Sequence, residues 1–187
     1  MPSFSLPDTI TGKVISSQDL IGKVTVIMFL ANECPFVRHL HAGLADFGRF
    51  VRARQSQNLV AINSSDVSVA PNEAPELMAT MAKERGWVFP YCYDETQDVA
   101  EAFRAACTPD TFIFNSQGRL AYRGQFDRSR PSKQDPVTGV DARSALMDLL
   151  NERLPPTNPK ASNGTAIRWK PGRGNLTDLP TFPRAGG

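Results

Sequence analysis

One cysteine stands where a predicted buried strand is followed by a predicted helix. The apolar run 24–30 predicts the strand, and Cys34 comes shortly after it. Pro35 follows directly and suits the first turn of a helix. The N-terminus of a helix has unpaired N–H groups and a partial positive charge, and both stabilise a thiolate relative to a thiol. Because the thiolate is the reactive form in disulfide exchange and in peroxide reduction, Cys34 is the predicted nucleophile.

Charged and titratable residues surround Cys34 in the sequence. Arg38, one helical turn further on, is placed to add positive charge near the sulfur, whereas Glu33 is expected to face solvent. His39 and His41 raise the alternatives of a catalytic base or a metal site, but a closed zinc site needs four ligands at spacings that this sequence lacks. We expect both to be ordinary helix residues, with no metal and no cofactor. For Cys34 itself, a buried structural thiol is the alternative to a nucleophile.

The chain has three cysteines, an odd and sparse set. Such a set argues against a secreted disulfide scaffold and for thiols kept reduced, so we expect a cytoplasmic protein. The N-terminal residues show no basic segment followed by an apolar one, and no apolar run approaches the roughly 20 residues of a membrane-spanning helix. Cys92 lies among aromatic residues at a predicted strand end and is expected to serve packing.

The hydrophobic pattern predicts alternating strands and helices. Apolar residues recur at steps of three and four after Pro35, which predicts a helix lying on a sheet. Further strands are predicted at 4–6, 14–15, 59–63, 87–91, 110–115 and 120–125, and further helices at 73–85, 99–106 and 141–154. This order indicates an α/β fold with a central sheet of mixed direction, flanked by helices on both faces.

Composition and charge indicate one globular domain followed by a tail. The chain has 187 residues, 41% of them hydrophobic, and a formal charge of +2, which does not favour nucleic acid or an anionic membrane as a partner. We expect the domain to cover residues 1–154. Residues 155–187 are rich in proline and glycine and predict an extended, irregular tail. The tail is expected to pack on the domain through Trp169 and its neighbours.

Four short segments carry a family likeness: Phe4–Asp8, Gly22–Lys23 before the apolar strand, Cys34–Val37 and Cys107–Asp110. In these segments the chain resembles the thioredoxin-like redoxins, a group that includes the alkyl hydroperoxide reductase and thiol-specific antioxidant superfamily. The resemblance spans roughly residues 3–153 and implies a thioredoxin-like fold. It also implies that Pro109 is a cis-proline facing Cys34, with Thr108 offering backbone groups to a bound thiol or peptide. Pro35 and Phe36 would complete that substrate-binding surface.

The chain departs from the family where thioredoxins carry C-x-x-C. Val37 occupies the position of the second cysteine, so the ordinary disulfide cannot form. Cys107, two residues before Pro109, would lie on the loop that faces the Cys34 helix, which makes it the leading candidate for the resolving cysteine. A core cysteine that closes the preceding helix is the alternative for Cys107.

Peroxidase activity has weaker support in the sequence. Peroxiredoxins of this superfamily place proline seven residues and threonine or serine three residues before the peroxidatic cysteine, and here Ile27 and Ala31 stand there. Pro109 falls about where a peroxide-polarising arginine is expected. Arg38 and Arg123 would substitute only if the fold brings them to the sulfur. Without donors to stabilise charge on the leaving oxygen, peroxide reduction is expected to be slow.

We therefore expect an enzyme, a thiol–disulfide oxidoreductase acting on a thiol or disulfide protein or small molecule. A peroxiredoxin-like thiol peroxidase acting on peroxide is the second expectation, and a non-catalytic thioredoxin-fold binding module is the third. Thioredoxin and glutathione are the expected reductants. The charged loop 123–131 leaves a homodimer contact open beside the alternative of a solvated loop.

Overall fold

A computed structural model of the chain describes residues 1–133, 135–177 and 184–185. In chain order its elements are β1 (Ser5–Pro7), β2 (Val14–Ser16), β3 (Val24–Phe29), α1 (Pro35–Arg52), β4 (Gln57–Asn63), α2 (Pro75–Glu84), β5 (Tyr91–Tyr93), α3 (Asp98–Phe103), β6 (Cys107–Thr108), β7 (Asp110–Phe114), β8 (Leu120–Gly124), α4 (Val140–Leu150) and β9 (Thr165–Ala166). Short 3-10 turns cover Ser17–Leu20 and Pro71–Glu73.

Five strands form the central sheet, in the order β5-β4-β3-β7-β8. Strands β3, β4 and β5 are parallel to one another, whereas β7 runs antiparallel to both β3 and β8. Strand β3 is central and buried along its whole length, as its uninterrupted apolar character requires. The predicted α/β class with a mixed, helix-flanked sheet is confirmed.

Two clusters of buried side chains cover the two faces of the sheet. Successive residues of a strand point to opposite faces, so Val26 and Met28 join one cluster while Ile27 and Phe29 join the other. Helices α1, α2 and α4 pack on the first face. Helix α3, the N-terminal segment and Ile167 of the tail pack on the second. This packing fixes the end of β3, and with it the start of α1, from both sides.

The strand predicted at 87–91 and the helix predicted at 141–154 differ from the structure. The strand predicted at 87–91 is found at Tyr91–Tyr93; Trp87 and Phe89 are buried in the preceding loop, where their rings stack with centroids 5.2 Å apart. Aromatic residues are common in strands, so Trp87 and Phe89 suggested one. Here the two residues are buried by tertiary packing without forming a strand. Helix α4 ends at Leu150, short of residue 154, and Glu152 has a left-handed backbone (φ 58°) that no helix continues through.

The tail was expected to be irregular, yet it contains strand β9, which pairs antiparallel with β6. Ile167 is buried in the cluster on the second face of the sheet, and the partly buried Trp169 packs against that cluster. Residues 178–183 and 186–187 of the predicted tail lie outside the described residues, and the domain boundary at residue 154 stays a prediction. Within the described ranges, no helix has the length and apolar character needed to cross a membrane.

Candidate active site

Cys34 occupies the N-cap position of α1, and its side chain makes no hydrogen bond to the first turn of the helix. Strand β3 carries the chain to this point, and Pro35 begins the helix directly after the cysteine. The Cys34 side chain is buried, with 2% of its surface exposed. Its thiol donates a hydrogen bond to the carbonyl oxygen of Thr108 (2.9 Å), and its sulfur lies 3.3 Å from the hydroxyl oxygen of Thr165. The sulfur is thus enclosed between a helix end and two short strands.

The loop that faces Cys34 has the form that the resemblance implied. The Thr108–Pro109 bond is cis, and the Thr108 carbonyl points at the sulfur. Phe36 and Pro109 line one shallow depression together, and Pro35 is exposed at the first turn of α1. The structure therefore brings the helix start and the cis-proline loop together, and a substrate-binding role for these residues stays a prediction.

Cys107 directly precedes Thr108 in β6. Its side chain lines a cavity of about 510 Å³ with Asp110, Arg123 and part of the tail. Burial, and then the nearby Asp110 carboxylate, raise the pKa of the Cys107 thiol to about 11. All three cysteines are free. The resolving role of Cys107 stays a prediction.

Cys92 lies within β5, opposite Ile62 of β4, and is fully buried. Burial, and then the Asp8 carboxylate, raise the pKa of its thiol. Both effects disfavour the thiolate, which agrees with the predicted packing role.

A buried carboxyl group that the sequence did not reveal holds the loop in front of Cys34. Glu73 is 1% exposed and accepts hydrogen bonds from the backbone N–H groups of Asn32 (2.6 Å) and Glu33 (2.8 Å) and from the side-chain amide of Asn63 (2.7 Å). Glu73 is 40 residues from this loop in sequence, so no local motif could have indicated the contact. It is a positioning residue for the Cys34 loop.

The charged neighbours of Cys34 engage each other and the loop. Arg38 pairs with Glu33 (2.5 Å) and donates to the carbonyl oxygen of Asn32 (3.0 Å). The Glu33 side chain is partly exposed, close to the expectation that it faces solvent. Arg123 pairs with Asp110 (2.9 Å). Both guanidinium groups are therefore committed to partners other than the sulfur.

His41 is buried beside Trp87, with the two rings edge to face at 5.7 Å. Burial, and then the positive charges of Arg85 and Arg38, lower the pKa of His41 to about 4. The imidazole is therefore neutral near pH 7. Within the described part of the chain, no group of three or more His, Cys, Asp or Glu side chains is arranged to hold a metal ion.

The three thiols should react with iodoacetamide in a fixed order near pH 8. A thiol with a pKa of about 11 is ionised to only about one part in a thousand at that pH, so Cys107 should be alkylated slowly although it is the most exposed of the three. Cys92 should be slower still. Peptide mapping after partial alkylation should find Cys34 labelled first; labelling of Cys107 before Cys34 would contradict the assignment.

Comparisons with known proteins agree with this fold. A crystal structure of a conserved protein from Geobacillus kaustophilus is 44% identical and superimposes with a TM-score of 0.88, covering 92% of this chain and 91% of that one. The thiol-disulfide oxidoreductase ResA of Bacillus subtilis is 25% identical over 150 residues, which are 80% of this chain and 72% of ResA.

The fold is also that of a thiol:disulfide interchange protein of the thioredoxin family from Chlorobium tepidum, at 20% identity and a TM-score of 0.60, with 80% of this chain and 94% of that one covered. The predicted thioredoxin-like fold is thus confirmed. The sequence model of the AhpC/TSA family matches residues 1–123, nearly two thirds of the chain. The chain therefore belongs to the AhpC/TSA family.

Proposed function

We propose that the chain is a thiol–disulfide oxidoreductase in which Cys34 is the nucleophile. One observation supports this most directly: Cys34 stands at the N-terminus of α1 with its sulfur 2.9 Å from the carbonyl oxygen of the residue before the cis-proline. A helix N-terminus stabilises a thiolate relative to a thiol. The likeness to ResA supports the same chemistry.

The reaction proceeds in two exchange steps. The Cys34 thiolate attacks one sulfur of a substrate disulfide, so that a mixed disulfide with Cys34 forms and the other substrate thiolate leaves. Val37 cannot supply the second thiol. An external thiolate of the glutathione or thioredoxin class then attacks the substrate sulfur of the mixed disulfide. This step releases Cys34 as a thiolate and leaves the substrate bound to the external thiol.

A peptide carrying a 2-pyridyl disulfide tests the first step. Reduced protein should release one equivalent of pyridine-2-thione per chain and retain the peptide on Cys34, as shown by mass spectrometry. The Cys34→Ser variant should release pyridine-2-thione far more slowly than the native chain. Attachment of the peptide to Cys107 would contradict the assignment of Cys34 as the nucleophile, whereas peptide binding that survives loss of the Cys34 thiol would favour a binding module.

Peroxide reduction is the second candidate function, and the Thr165 hydroxyl favours it. The sequence has alanine where peroxiredoxins place a hydroxyl, but the tail brings the Thr165 hydroxyl oxygen to within 3.3 Å of the Cys34 sulfur. A donor at that position can stabilise charge on a leaving oxygen. The expected product is a sulfenic acid on Cys34, detected by dimedone labelling after one equivalent of hydrogen peroxide.

We further propose that the protein works in a reducing compartment such as the cytoplasm. All three cysteines are free, and the raised pKa values of Cys92 and Cys107 leave two of them as poorly reactive thiols. A chain that needs an external thiol to release its mixed disulfide requires a supply of reduced thiols around it.

A further inference from the structure

We propose that residues 164–167, here called the strap, cover Cys34 and must lift before it can react with any substrate larger than a small molecule. This inference rests on the proposed function and adds a control of access to it. The strap is part of this chain's own tail, and it lies where an extended substrate would have to bind.

The strap occupies the backbone edge next to the sulfur. Strand β9 pairs antiparallel with β6, placing Thr165 opposite Thr108 and Ala166 opposite Cys107. The N–H of Ile167 continues the ladder to the carbonyl oxygen of Ala106 (3.1 Å). A peptide can add to a strand only at an edge with unpaired N–H and C=O groups, and the strap already uses this one.

The strap also covers the sulfur from the side. The Thr165 hydroxyl oxygen is 3.3 Å from the Cys34 sulfur, and Cys34 is 2% exposed. In this arrangement the Cys34 thiol donates a hydrogen bond to the Thr108 carbonyl oxygen. The contact keeps the sulfur engaged as a hydrogen-bond donor instead of presenting it to a disulfide.

Gly164 is the point of closest approach between the strap and the cis-proline loop. A Cβ added to Gly164 would overlap the carbonyl oxygen of Thr108 and would lie 3.0 Å from the backbone nitrogen of Pro109. Both atoms belong to the backbone, so no side-chain movement could relieve the clash. The seated strap therefore requires glycine at this position.

The strap is anchored more firmly on its C-terminal side. Ile167 is buried, and the buried Gln97 donates to the carbonyl oxygen of Arg168 (2.9 Å) and accepts from the N–H of Lys170 (2.8 Å). Residues 151–163, all of them described, form no helix or strand and are mostly exposed; they are held by hydrogen bonds from the Ser162 hydroxyl to Asp110 (2.7 Å) and from the N–H of Gln125 to the carbonyl oxygen of Lys160 (3.0 Å). The strap lifts from its Gly164 end when these two bonds break, while Ile167 stays in place.

The rate of Cys34 alkylation by maleimides of different size tests the proposal. Gly164→Ala should raise the rate with a polyethylene-glycol maleimide by about tenfold, the effect of shifting the opening equilibrium by about 1.4 kcal/mol. N-ethylmaleimide should gain less, because a small reagent needs a smaller opening. Ala166→Ser, an exposed position on the same strand, should leave both rates unchanged.

A second variant closes the strap instead of loosening it. Cys107 and Ala166 face each other as a non-hydrogen-bonded antiparallel pair, since the Ile167 to Ala106 bond belongs to the next pair along. Such pairs have Cα atoms about 4.5 Å apart, within the range of a disulfide. Ala166→Cys oxidised with glutathione disulfide should form this bridge, and bridged chains whose mass shows no glutathione on Cys34 should be labelled at Cys34 about tenfold more slowly than the native chain, with recovery after reduction.

Equal Cys34 labelling in the native chain, Gly164→Ala and the bridged variant would overturn the strap proposal. Because labelling needs no turnover, its outcome is independent of the proposed function. If the variants label as expected but no pyridine-2-thione is released from the peptide disulfide, the proposed function fails and the strap stands. If the native and bridged chains release it equally fast from the peptide, the strap fails and the proposed function stands.

Discussion

Serine in place of Cys34 is expected to lower the rate of disulfide reduction by at least about 1,000-fold. A serine hydroxyl is not ionised near neutral pH and cannot form a mixed disulfide, so the covalent route is lost outright. Removal of a nucleophile in other enzymes costs as much or more. Steady-state turnover of a peptide disulfide, with glutathione and with thioredoxin as reductants, measures the effect.

The other two cysteines provide the matched controls. Cys92→Ala should retain most of the activity, because the thiol is buried in β5 away from the sulfur of Cys34. Cys107→Ser decides how Cys34 is resolved. Unchanged turnover would show that the external thiol acts alone, whereas loss of turnover with an intact first step would show that Cys107 resolves the mixed disulfide. Normal activity in Cys34→Ser would refute the assigned nucleophile.

Alanine in place of Glu73 is expected to lower the free energy of unfolding by about 3 kcal/mol or more. The change leaves two backbone N–H groups and the Asn63 amide without their acceptor, and each unpaired buried donor costs about 1–3 kcal/mol before water enters. The same change frees the loop before Cys34. Urea unfolding measures the first effect, and the Cys34 alkylation rate in native conditions reports the second.

Two further variants test whether the loss of stability comes from the hydrogen bonds that Glu73 accepts. Glu76→Ala lies in the exposed first turn of α2 and should change the free energy of unfolding by less than about 0.5 kcal/mol. Glu73→Gln keeps the shape of the side chain and one acceptor oxygen. It should therefore lower the free energy of unfolding by an amount between those of Glu73→Ala and Glu76→Ala. A Glu73→Ala variant as stable as Glu76→Ala would show that the buried carboxyl does not hold the loop.

Much of the fold follows from local pattern. The uninterrupted apolar run before Cys34 predicts a central strand, and the steps of three and four after Pro35 predict a helix on the sheet, and both are found. The position of Cys34 between this strand and this helix can be predicted from the same two patterns. Its chemical setting depends on the end of β3 and the start of α1, which are adjacent in sequence.

The remaining features depend on contacts between distant residues. Glu73 reaches the Cys34 loop from the turn before α2, and Thr165 reaches the sulfur from the tail, across 131 residues of sequence. Strand β9 has only two residues, too few for an alternating pattern to show. The cis isomer at Pro109 came from resemblance alone, because most bonds before proline are trans.

The position of the strap near the C-terminal end of the described chain has a consequence for synthesis. The ribosome makes the chain from its N-terminus, and every strand of the central sheet precedes the strap in sequence. At about 5–20 residues per second, the roughly 40 residues that separate β8 from the strap take several seconds to emerge. During that interval the nascent chain carries Cys34 without its cover.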